Sequence, residues 1–126
     1  MQPSPEVVAA LVGASPEQLN AVLEVMFFVA SADGRVEADE LRGFLRVAKA
    51  TGASPSAVSA SITQWRSRGS VDVAERVAQL SDVLGTDELR RTAFQLATRT
   101  AASDGHLDGA EAQVLELVGD ALGVGG

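Results

Sequence analysis

One Asp-Gly turn motif occurs twice in the sequence, first from Asp33 to Glu40 and again from Asp104 to Glu111. Both copies read Asp-Gly-x-apolar-acid-x-x-Glu, and the offset between them is 104 − 33 = 71 residues. A repeat of this kind predicts two helical hairpins related by pseudo-symmetry, over roughly residues 16–52 and 87–123. The same offset aligns apolar positions on both sides of the turn, including Val22 with Ala93, Val25 with Leu96, Phe44 with Leu115 and Val47 with Val118.

Helix breakers and caps divide the chain into seven helical segments. Glycines recur at helix-sized intervals, and glycine suits the left-handed conformation that ends many helices. Ser15 precedes Pro16 and fits a capping box with Gln18, and Asp72 fits one with Glu75. The predicted segments are 5–12, 16–33, 37–51, 55–68, 72–84, 87–104 and 109–122.

These segments differ in how much of their circumference is apolar. The second, from residue 16 to 33, is apolar nearly all round and is predicted to lie at the centre of the fold. The fourth and fifth have single apolar stripes and are predicted to be peripheral. The stripes are Val58, Ile62 and Trp65 in the fourth segment, and Val73, Val77, Leu80 and Leu84 in the fifth.

Composition agrees with an all-α fold and limits the partners. Only 4% of the residues are aromatic, whereas Ala, Val and Leu are abundant, which favours helices over strands. A chain of 126 residues suits one domain, residues 1–126. The net charge of −7 repels phosphate backbones and anionic membranes, so nucleic acid is not an expected partner. Cysteine is absent and no apolar stretch is long enough for membrane insertion, and we therefore expect a cytoplasmic protein.

The turn motif has a purely structural interpretation. Gly34 would end the incoming helix, Glu37 would cap the next one, and Glu40 would occupy its third position. In the second copy, Asp108 is the cap and Glu111 takes the position of Glu40. This interpretation needs no ligand.

The motif also resembles a metal-binding sequence. It matches the second half of a calcium-binding EF-hand loop, including its glycine and its final glutamate. The first half lacks ligands, because Val29 and Ser31, like their counterparts in the second copy, stand where carboxylates are required. A true EF-hand is therefore excluded, but a divalent cation such as calcium or magnesium could be shared between the copies. The candidate ligands are Asp33, Glu37, Glu40, Asp104, Asp108 and Glu111.

No arrangement of catalytic residues is visible in the sequence. It has neither a glycine-rich phosphate loop nor a nucleophile motif, and His106 is its single histidine. His106 is most simply an exposed loop residue, and Trp65 most simply completes the apolar stripe of the fourth segment. We therefore expect a protein that is not an enzyme.

The two copies, Ala32-Asp33-Gly34 and Ala102-Ser103-Asp104-Gly105 with the acids that follow, resemble the TerB tellurite-resistance family. The similarity covers residues 15–124 and agrees with an order of seven short helices. It implies a four-helix core from the second, third, sixth and seventh segments, flanked by the other three, with both acidic turns on one surface. Ser103 and the glycine-interrupted last segment, with Gly119, depart from the family pattern.

The resemblance implies a non-enzymatic module of a bacterial tellurite or metal-stress resistance system, which binds a divalent cation or a basic partner through the doubled acidic turn. Related domains also occur in a membrane-anchored DnaJ-like co-chaperone, so a second hypothesis stays open. In it, the domain is a helical scaffold or adaptor for another protein, and the turns are only caps. Either hypothesis implies a protein partner, which could bring the module to the inner membrane. The sequence leaves the oligomeric state open.

Overall fold

A computed structural model of the chain describes residues 9, 11–31, 42, 45–49, 54–67, 72–101 and 109–124. Every regular element in these ranges is an α-helix, which confirms the predicted all-α class. Residues 11–12 and 45–49 are helical and fall within the first and third predicted segments. Five helices have defined bounds: α1 Pro16–Ala30, α2 Pro55–Ser67, α3 Val73–Leu84, α4 Asp87–Ala101 and α5 Gly109–Leu122.

Local hydrogen bonds explain where these helices begin and end. The Ser15 hydroxyl accepts from the Gln18 backbone N–H at 3.2 Å, and the Gln18 side chain accepts from the Ser15 N–H at 2.9 Å, which confirms the predicted capping box. Asp72 caps α3 by accepting from the Glu75 N–H at 3.2 Å. Gly85 ends α3 in the left-handed region, with φ of 77°.

The C-terminal end of α1 lies at Ala30, three residues before the predicted end of that segment at residue 33. Ser31 is the cap residue, since its backbone leaves helical values with φ of −95° and ψ of 11°, and its backbone N–H and hydroxyl both donate to the Phe27 carbonyl, at 2.9 and 2.8 Å. The hydroxyl bond does not by itself end a helix, since Thr98 makes the same bond to the Phe94 carbonyl within α4. The first acidic turn therefore follows a helix that is shorter than predicted.

Helix α1 is the centre of the fold, as its apolar circumference predicts. All ten residues from Ala21 to Ala30 are buried. The helix contacts α2, α3, α4 and α5, and its packing against α4 is the most extensive in the described part of the molecule. A helix covered on every side in this way cannot tolerate a polar residue without a partner.

Helices α1 and α4 have the relation that the sequence repeat predicts for them. Their first residues differ by 87 − 16 = 71 positions and their last by 101 − 30 = 71. The aligned residues Val22 and Ala93 are both buried, and so are Val25 and Leu96. The pseudo-symmetry of whole hairpins stays a prediction, because both turns lie outside the described residues.

The two striped helices bury the predicted faces. In α3, Val77, Leu80 and Leu84 are buried and Val73 is half-buried. The helix packs chiefly on α5 and α1, so it forms a layer of the core, whereas a peripheral position was predicted. In α2, the buried stripe ends at Trp65, whose ring centroid lies 5.3 Å from that of Phe27 on α1. The packing role predicted for Trp65 is thereby confirmed. Of the described helices, none has the length and apolarity needed to cross a membrane.

Candidate functional site

The acidic turns fall mostly beyond the part of the chain that the structure describes. His106 lies there too, so its predicted loop position stays a prediction. Of the six predicted ligands, Glu111 is the one whose position is described. The five outside the described residues are Asp33, Glu37, Glu40, Asp104 and Asp108.

Glu111 is the third residue of α5, which begins at Gly109 as predicted. Its exposed fraction is 7%, and the residue has an interaction partner in the fold. The first turn of a helix suits a carboxylate, because backbone N–H groups and the positive end of the helix dipole lie there. A carboxylate held in this position can cap the helix or provide one oxygen ligand to a hard cation.

The described residues do not by themselves assemble a metal site. Within them, no three side chains among His, Cys, Asp and Glu come close enough together to hold an ion. A complete site would require the carboxylates of the turns. The shared cation site therefore stays a prediction about residues that include the two turns.

A buried ion pair between α1 and α3 was not predicted. Glu24, with an exposed fraction of 1%, accepts from Arg76 Nε at 2.8 Å and from Arg76 Nη2 at 3.1 Å. Arg76 Nη1 also donates to the Gln79 side chain at 3.1 Å. The hydrogen bond to Glu24 raises the pKa of Arg76 above the ordinary arginine value, partly opposed by burial and supported by the charge of Glu24. The two-pronged contact fastens α3 to the central helix.

One feature of the sequence could have identified Glu24, although not Arg76, as a member of this pair. Glu24 interrupts the apolar run between Leu23 and Val25 in a segment that is apolar all round. An acid in such a helix must be buried, and a buried acid needs a cation or several donors. The identity of the partner could not be read in the same way, because Arg76 is 52 residues away in the chain.

A groove of about 370 Å³ lies where the first turns of α1 and α2 meet the segment before α1. Its apolar lining includes Leu19 and Leu23 from α1, Val58 from α2, and Val12 from the preceding segment. The Ser61 hydroxyl of α2 donates to the Asn20 side-chain oxygen of α1 at 3.1 Å, and both residues also line the groove. The sequence did not predict the groove, since three separate segments form it.

Comparison with known proteins gives one family. The family model described as "Tellurite resistance protein TerB" matches residues 5–62, somewhat less than half of the chain. The matched span contains the first acidic turn, α1 and most of α2. No curated protein and no solved structure gives a significant match. The match confirms the resemblance to this family over the first copy of the motif, and its predicted extension to residue 124 stays a prediction.

Proposed function

We propose, from the similarity of residues 5–62 to the TerB family, that the chain is a non-enzymatic module of a bacterial tellurite or metal-stress resistance system. In this proposal the doubled acidic turn is the binding element. It holds a divalent cation such as calcium or magnesium, or a basic partner, between its two copies. The module acts in the cytoplasm, and a protein partner connects it to other components, including those at the inner membrane.

The observation that supports this proposal is the burial of Glu111. The residue is 7% exposed at the third position of α5, where the motif places an acid in both copies. Withdrawing a carboxylate from water is unfavourable unless donors or positive charge compensate it. A cation shared by the six acids would add to the interaction that Glu111 already has in the fold and would relieve the mutual repulsion of the acids.

The alternative function is a helical adaptor in which the acidic turns are caps. The position of Glu111 favours it as well, because the third residue of a helix is the acidic position of a capping box. The groove between α1 and α2 adds a surface on which a partner could dock. The two functions differ in one measurable respect, which is whether metal stabilises the fold.

Thermal unfolding with calcium, magnesium, manganese, zinc or a chelator tests the cation proposal. The variant is Glu40→Gln with Glu111→Gln, and the matched control is Glu17→Gln with Glu116→Gln, which removes the same charge from two exposed positions. A ligand at about 100 times its Kd stabilises a fold by about 2.7 kcal/mol, which raises Tm by on the order of 10 °C. We expect a saturable rise in the wild type and the control that the double variant lacks.

The readout is the metal-induced shift and not the absolute Tm, because removing the Glu111 charge also weakens a helix cap. Isothermal titration calorimetry of the same three proteins provides a second measurement of binding. If no metal changes Tm and none binds in the calorimeter, the cation proposal is wrong and the adaptor function is favoured. An equal shift in all three proteins would place the metal elsewhere on the chain.

A further inference from the structure

The groove between α1 and α2 is apolar at its base and open at its rim. Leu23 and Val58 are 6% and 3% exposed and form its buried base. Val12, at the rim, is 64% exposed, which is the largest exposed fraction among the large apolar residues that the structure describes. Such a side chain in water leaves apolar area that a bound molecule could cover.

The described lining of the groove is uncharged in a strongly acidic chain. None of the described residues that line it carries a charge. Among the helices with defined bounds, α2 alone has no acidic residue, whereas each of the others has at least two. The single charged residue of α2 is Arg66 in its last turn, beyond the groove. The described lining residues therefore contribute nothing to the net charge of −7.

We propose that this groove binds the apolar face of a basic amphipathic helix from a partner protein. A charged side chain buried in an uncharged groove would have no counter-charge, so the contacting face of the occupant must be apolar. An apolar groove between two helices is the kind of surface that receives an amphipathic helix in known recognition modes. The proposal uses none of the acidic turn residues.

The negative charge of the chain indicates which residues the outward face of the bound helix should carry. Glu17 is exposed in the first turn of α1 and follows the lining residue Pro16 in the sequence. The whole molecule, at −7, attracts basic partners and repels acidic ones. A second copy of this chain would bring another −7, so charge disfavours self-association at the groove. Lysines or arginines on the outward face of the occupant would complement this field.

A synthetic peptide is the probe for this proposal. It is an amphipathic helix of leucine and lysine, fluorescently labelled, and its comparison peptide has glutamate in place of every lysine. Fluorescence anisotropy measures the Kd of each peptide for the full chain. We expect saturable binding of the lysine peptide and at least tenfold weaker binding of the glutamate peptide.

Two variants place a charge in the groove without altering the core. Val12→Asp and Ala57→Asp change exposed lining residues, and an acid near the start of α2 suits the helix dipole. Val83→Asp is the matched control, because Val83 is 41% exposed on α3 and is not among the residues that line the groove. Emission from Trp65, the single tryptophan, verifies that each variant is folded.

The sign of the effect separates docking from general attraction. In the groove, each new carboxylate would be buried against leucine, so we expect Val12→Asp and Ala57→Asp to weaken binding about tenfold each and Val83→Asp to leave it unchanged. General attraction between a cationic peptide and an acidic protein would strengthen in all three variants, and this result would overturn the proposal. Absence of binding to the wild type would also overturn it, as would a wild-type dimer that Val12→Asp dissociates. The metal titration tests the cation proposal and the peptide assay tests the groove, so a negative result in one leaves the other proposal standing.

Discussion

Replacing Arg76 with methionine should destabilise the fold substantially, although the position is only partly buried. Methionine keeps an apolar stem of similar length and removes the two donors to Glu24. Breaking a buried ion pair by removing one partner typically costs about 3–5 kcal/mol. Two features reduce that figure here: the Arg76 side chain is 38% exposed, and Glu24 has a further interaction in the fold. We therefore expect a loss of about 2–3 kcal/mol in the free energy of unfolding.

Urea denaturation followed by Trp65 emission and by far-UV circular dichroism measures this loss. Arg91→Met is the matched control, since Arg91 is exposed on α4 and its replacement should change stability by less than about 0.5 kcal/mol. Glu24→Met combined with Arg76→Met should recover much of the loss, because a well-packed apolar pair avoids the desolvation of a buried carboxylate. If Arg76→Met is no more destabilising than Arg91→Met, the ion pair contributes no net stability and the reasoning from burial is refuted.

The contribution of Arg76 should also be insensitive to moderate alkali. Its pKa in the folded chain is raised above the ordinary arginine value by the hydrogen bond to Glu24. A raised pKa gives stabilisation that is complete below the unfolded value and is lost only as pH rises through the folded one. The difference between wild type and Arg76→Met should therefore stay constant from about pH 7 to about pH 10. A difference that shrinks across this window would show that another group controls the pair.

The helix ends provide two further tests by the same urea assay. Gly85→Ala should cost about 1–2 kcal/mol, because φ at this position is 77°. Steric overlap is not the cause, since an added Cβ would meet no atom closer than 3.8 Å. Gly109→Ala, with no atom within 4 Å of the added Cβ, should be neutral or slightly stabilising. Equal effects at the two glycines would contradict a conformational cause. Ser15→Ala should cost about 1 kcal/mol by removing one half of the capping box, and Ser15→Asn should retain most of the stability. If Ser15→Asn is as damaging as Ser15→Ala, the hydrogen bond to Gln18 is not the source of the effect.

Features set by neighbouring residues could be predicted from the sequence. The capping box at Ser15, the start of α5 at Gly109 and the central position of α1 each depend on a few consecutive residues or on one helical face. Features set by distant residues could not. The pair of Glu24 and Arg76 requires knowledge of which face of α3 meets α1, and periodicity gives the apolar face of a helix but not its neighbour.

The groove could not be predicted from the sequence either, because residues from separate segments form it. Leu19 and Val58 appear in sequence as ordinary apolar positions of two helices, and Val12 as the end of a third segment. Only the packing of these segments shows that Val58 is buried, with an exposed fraction of 3%, whereas Val12 has an exposed fraction of 64%. The acidic turns present the reverse case. Their motif was visible at once, yet its carboxylates suit a cap and a ligand equally well, and spacing cannot separate two roles that use the same atoms.

The two proposed binding surfaces should act independently, because the groove lies at the N-terminal half of α1 and the first acidic turn follows its C-terminal end in the sequence. From Leu19 to Ala30 the helix rises about 16 Å, and perturbations more than about 7–10 Å apart are usually additive. Peptide affinity should thus be the same with metal and with chelator. A coupled response would need α1 to have two arrangements, and its ten consecutive buried residues, together with the ion pair from Glu24 to Arg76, oppose any movement along its axis.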